Sequence, residues 1–165
     1  MAYLKYAIEN VSESYNDDII VHNVLCNEHK TGDGIEKGGD RIVIEIMDVI
    51  ENTINEYTIN PYENIEEVTL TFVGNSLGGL YARYAIAQIY HNMTDNDVDH
   101  DYDNKEQDKV DHFTMNLDNG VQVRFNTFYS IASPHLGVAK HTFVPIPRFA
   151  EIGIGYAMGQ TGKDL

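Results

Sequence analysis

The residues best suited to do chemistry are Gly74-Asn75-Ser76-Leu77-Gly78, a Gly-x-Ser-x-Gly set preceded by the apolar run Val68-Thr69-Leu70-Thr71-Phe72-Val73. A serine hydroxyl is a weak nucleophile until a base takes its proton, and it must stand clear of the sheet to meet base and substrate. A sharp strand–turn–helix exposes it but crowds the backbone. Small residues two before and two after the serine, Gly74 and Gly78, relieve that crowding. The turn also aims the amide of Leu77, at the head of the following helix, toward a developing oxyanion. The pattern predicts acyl transfer with Ser76 as nucleophile and the Leu77 amide as oxyanion donor. The plainer alternative is a glycine-rich β–α turn with a helix-capping serine. Three glycines around one serine argue against it.

Other constellations are weaker. Asp95-x-Asp97-x-Asp99, with Asp103 and Glu106 beyond, partly mimics a calcium-binding EF-hand loop. His100 stands where that loop needs glycine, and the stretch reads better as a solvated, low-complexity insert. A Ca²⁺-responsive module is a remote alternative. Seven histidines and one cysteine show no paired zinc spacing. The glycines between Gly32 and Gly39 lack the Gly-Lys-Ser/Thr of a phosphate loop. No cofactor and no metal are expected.

The elements that must position Ser76 follow from apolar periodicity. Residues 3–9 read as helical, and Ile19–Leu25 as a short β-branched strand. Cys26 to Gly39 reads as a glycine-punctuated loop. Asp40 is placed to cap a helix carrying Ile42, Ile46, Val49, Ile50, Ile54 and Tyr57 at helical spacing. Val68–Val73 is a buried-type strand, and Ser76 to about Tyr90 returns to helix, with Gly78, Gly79, Ala82 and Ala85 small enough to approach a sheet. Residues 94–112 form an acidic insert loop. Phe113–Leu117 and Val121–Phe125 flank the hairpin signal Asp118-Asn119-Gly120. Thr127–Ala132 is a further strand, ended by Ser133-Pro134. The tail from Val138 carries no clear pattern. Strands alternating with helices predict an α/β fold with a mostly parallel sheet and helices on both faces.

Composition narrows the function classes. The chain has 165 residues, 42% hydrophobic, enough for one domain over 1–165. A net charge of −15 opposes nucleic acid as a partner and docking on anionic lipid by charge alone. No run of about 18 apolar residues spans a bilayer. Cys26, the single cysteine, cannot close an intrachain disulfide, which fits a reducing compartment or indifference to redox. The expected location is cytoplasmic or peripheral to an organelle.

The stretch Phe72 to Ile86, centred on Gly74-Asn75-Ser76-Leu77-Gly78-Gly79, resembles the nucleophile elbow of the putative serine esterase family of lipase-like α/β-hydrolases. Three further stretches resemble that family in the same order: Asn27 to Arg41, Tyr129 to Val138 with Pro134-His135-Leu136-Gly137, and Gly159 to Leu165. The resemblance implies a carboxylic-ester hydrolase acting on acylglycerol or phospholipid-like substrates, with possible peripheral contact to membranes. Asn75 departs from the histidine often found before the serine. The resemblance further implies a His-Gly oxyanion motif, and a triad acid and histidine on later strands. No His-Gly pair occurs, so the chain reads as part of such a domain, lacking early and late strands. His135 is the candidate general base within the chain, against a structural role at the Pro134 turn; His141 is weaker. A catalytically inactive binding module of the same fold is the second reading.

Overall fold

Helix α2 (Ile35–Thr58) shows why the fold forms. Its apolar side chains recur every three to four residues, so one stripe buries Ile42, Ile50 and Ile54. In the computed structural model, which describes residues 2–15, 19–58, 65–96, 114–137, 153, 155–157 and 159–165, that stripe meets two surfaces. Its later turns place Ile50 and Ile54 on Val121 and Val123, with Val68, Leu70, Met115 and Leu117 around them. Its earlier turns pack Ile42 against Tyr81 and Ala85 of α3 (Leu77–Asn96). Val123 and Ala85 are fully enclosed.

The sheet holds β1 (Glu67–Asn75), β2 (Thr114–Asn116) and β3 (Gln122–Ile131) in the order β1-β3-β2. β1 and β3 run parallel and β2 runs antiparallel to β3. The predicted hairpin is present: Gly120 takes φ 83°, and its amide bonds Leu117 O at 2.9 Å. The expected strands Val121–Phe125 and Thr127–Ala132 prove to be one strand. The register passes from Leu70↔Phe125 to Thr71↔Thr127, so Asn126 is an extra residue bulged within β3.

The molecule is thus mixed α/β with a small three-stranded sheet among the described residues. Cover on both faces was expected, but α2 and α3, the principal helices on the sheet, share one face. On the other lie Glu67, Thr69, Thr71 and Arg124, with Glu67 and Arg124 paired at 2.7 Å. Toward the carboxyl end of β3 that face turns apolar and open, with Tyr129 and Ile131 half exposed.

Three further expectations change. Ile19–Leu25 is not a strand among the described residues, because its end is tied elsewhere. The Glu45 carboxylate of α2 accepts the amides of Leu25 at 3.0 Å and Cys26 at 2.9 Å, and His22 Nε2 approaches it at 2.7 Å. Helix α2 starts at Ile35, not at Asp40: Asp164 of the short helix α4 (Gly159–Asp164) accepts the Ile35 amide at 2.8 Å. Gly38 and Gly39 therefore lie inside α2, where any Cβ would strike the rings of Tyr81 and Tyr84. Helix α3 extends to Asn96 and takes in the first residues assigned to the acidic insert. The rest of that insert and residues 138–152, His141 included, lie outside the described residues. Near the start of the chain, α1 (Ala2–Tyr15) is longer than the predicted 3–9, with Lys5 and Glu9 paired one turn apart at 3.5 Å. No described helix is long and apolar enough to cross a membrane.

Candidate active site

Ser76 is the one residue between β1 and α3, and it adopts φ 52°. This left-handed conformation costs an L-residue about 1–2 kcal/mol. It persists because both flanks are fixed. The Ser76 amide donates to Ile131 O of β3 at 2.8 Å, and the Ser76 carbonyl accepts the Gly79 amide at 3.1 Å. The chain reverses so sharply that Gly79 lies on Gly74. A Cβ on Gly74 would run into Gly79 Cα, with Gly79 N only 2.7 Å away. A Cβ on Gly79 would run into Ser133 Oγ. The relief of crowding therefore rests on Gly74 and Gly79. Gly78, expected to share it, faces no atom within 4 Å among the described residues.

The neighbouring strand ends in the same way. β3 finishes at Ile131, and Ala132 adopts φ 52° before the turn Ser133–Gly137. Two strained non-glycine residues thus sit at the carboxyl ends of adjacent parallel strands, where strain is characteristically held in place for function. Ser76 is exposed there. Neither its hydroxyl nor the Leu77 amide has a hydrogen-bond partner among the described residues. An unpaired amide at a helix head can receive an anion.

His135 is not brought to Ser76. Its Nε2 lies 2.6 Å from Ser130 Oγ, and its Nδ1 lies 3.2 Å from Arg83 Nη1. Its own amide donates to Ser133 O at 3.0 Å. Sequence reasoning singled out neither Ser130, Arg83 nor Ala132. Arg83 was detectable in principle, since it follows Gly79 by four residues and shares its helix face.

The four stretches that carried the family resemblance meet in space. Gly38 and Gly39 receive Tyr81 and Tyr84, and the Tyr81 hydroxyl donates to Thr31 O at 3.1 Å. Burial pushes that phenol's pKa up, which keeps it a donor. Thr161 of α4 donates to Thr31 O at 2.5 Å and accepts the Gly34 amide at 2.9 Å. Arg41 secures the same loop through Asn27 Oδ1 and Asp33 Oδ2, each at 2.8 Å. A Cβ on Gly137, after the Pro134 turn, would strike Leu165 O.

A protein of Saccharomyces cerevisiae named "Putative lipase YDR444W" is 26% identical over 169 aligned positions, covering 100% of this chain and 20% of that protein. The chain thus spans about a fifth of the length of this relative. No solved structure matches this chain. The model of the family described as "Putative serine esterase (DUF676)" matches residues 1–165, and the chain belongs to that family.

Proposed function

We propose that this chain carries the nucleophile of a carboxylic-ester hydrolase of lipase type, on a sheet of the α/β-hydrolase kind occupying 1–165 as one domain. The observation that carries the reading is Ser76 at φ 52° between a strand and a helix, with Gly74 and Gly79 in backbone contact beneath it. In the reaction, Ser76 Oγ bonds to the ester carbonyl carbon and its proton passes to a base. The carbonyl oxygen becomes an oxyanion facing the Leu77 amide. The C–O bond to the alcohol then breaks, the alcohol leaves with a proton, and water hydrolyses the acyl-enzyme. The substrate class, acyl esters of lipid-like or small alcohols, follows the family and the relative's name rather than any pocket. An acidic protein that binds a lipid surface would do so through apolar contact, not charge.

A fluorophosphonate probe tests this directly. The folded protein should gain one phosphonyl adduct on Ser76, and Ser76→Ala should gain none. A folded wild type that stays unlabelled sinks catalysis by this serine and favours an inactive binding module. That second reading has one observation behind it, the lack of a described hydrogen-bond partner for the Ser76 hydroxyl.

A further inference from the structure

We infer that His135 is a positioning residue for the Ser76 turn, acting through Ser130 and Arg83 and not on the Ser76 proton; this rests on reading Ser76 as the nucleophile. Arginine can only donate, so Nδ1 facing Arg83 Nη1 at 3.2 Å is the acceptor nitrogen of a neutral imidazole. The ring proton is thereby assigned to Nε2, which donates to Ser130 Oγ at 2.6 Å. Both ring nitrogens are engaged, and neither is left to take a proton from Ser76.

The partners show what the ring holds. Ser130 is the register partner of Gly74, so it sits beside the strand end that launches the turn. A Cβ on Gly79 would come within 3.2 Å of Ser130 Oγ. Arg83 lies one helical turn beyond Gly79 on α3. The imidazole therefore spans from β3 to the second turn of α3, edge-on to Phe128 at 6.4 Å between ring centroids. Its backbone closes the Ser133–Gly137 turn, whose Ser133 Oγ abuts Gly79. Gly74 supports the head of α3 from the strand, and the Ser130–His135–Arg83 brace fixes it sideways. Any slippage moves Ser76 and the Leu77 amide together.

The test is fluorophosphonate labelling kinetics on the full-length protein, with melting temperature recorded for each variant. His135→Ala should lower the maximal labelling rate about 10- to 100-fold, the loss typical of a small misplacement, with little change in probe affinity. Ser130→Ala should show a similar loss, and the double variant should be no slower than either single one. His135→Asn, which keeps a donor and an acceptor, should recover part of the rate. An unchanged rate in folded His135→Ala overturns the inference. So does abolition in both His135 variants with Ser130→Ala unaffected, the signature of a general base. An unlabelled wild type removes the nucleophile itself, and so is distinguishable from failure of the brace alone.

Discussion

Ser76 combines two demands that separate on mutation. Its left-handed backbone is strained for any residue with a Cβ, whereas its hydroxyl matters only for chemistry. Ser76→Ala and Ser76→Gly should both lose phosphonylation, but Ser76→Gly should be the more stable by about 1 kcal/mol in denaturant melts. Equal stability would mean that the strain is absent. Glu45 is a second residue with a readable signature. Burial pushes its pKa up, but hydrogen bonds from the Cys26 thiol, His22 and the amides of Leu25 and Cys26 outweigh that and hold it at about 2, against 4.5 ordinarily. A depressed carboxylate pKa stabilises the fold above the unfolded value and loses that contribution as pH falls through the folded one. Wild-type stability should therefore drop between about pH 4.5 and 2, and Glu45→Gln should flatten that limb. Cys26 is the counterpart. Burial first, and the Glu45 hydrogen bond second, push its thiol up to about 12. Iodoacetamide should alkylate it far more slowly than a free thiol at pH 8, and faster in Glu45→Gln.

At the scale of elements, α2 tests whether its distant cap matters. Asp164→Ala should destabilise by about 1 kcal/mol through loss of the bond to the Ile35 amide, read as a lowered denaturant midpoint. Ile50→Ala, deep in the stripe against Val121 and Val123, should cost about 2–5 kcal/mol. These elements also show what was legible in the sequence. β1, the first turns of α3 and the Asp118–Gly120 hairpin follow from local patterns, because the apolar run, the glycine-flanked serine and the turn signal each lie within a few consecutive residues. Ile19–Leu25 has the composition of a strand. Yet the amides of Leu25 and Cys26 go to a carboxylate about twenty residues away, which no local window contains. Gly38 and Gly39 look like loop punctuation until the rings of Tyr81 and Tyr84 show why a helix has glycine there. The Ser76 turn was readable from its spacing, whereas the site of closest approach, Gly79 on Gly74, needed the packed backbone. His135 was readable only as a choice between base and structural residue, since its partners Ser130 and Arg83 come from two other elements.

For the molecule as a whole, the serine turn lies at one end of the sheet, and the described residues that flank the acidic stretch lie toward the other. Helix α3 carries the chain about 30 Å from Leu77 to Asn96, at 1.5 Å per residue. Beyond the acidic stretch, Thr114 re-enters opposite Arg124, toward the end of the sheet farthest from Ser76. Replacing Asp97, Asp99, Asp101 and Asp103 by Asn should leave the Ser76 labelling rate within about twofold, since salt screens solvated charges over ~10 Å. It should also reduce the gain in melting temperature that added salt gives a chain of net charge −15. A large change in labelling would place the insert over the serine. The bond between Asp164 and Ile35 finally has a meaning in time. The two residues are 129 positions apart, and a ribosome adding roughly 5–20 residues per second needs about 6–26 s to pass from one to the other. For that interval the nascent α2 has its apolar stripe but not the carboxylate that anchors its first turn. The loop that receives Thr161 waits equally long, so the region around the serine is completed only after the whole stretch between them has been made.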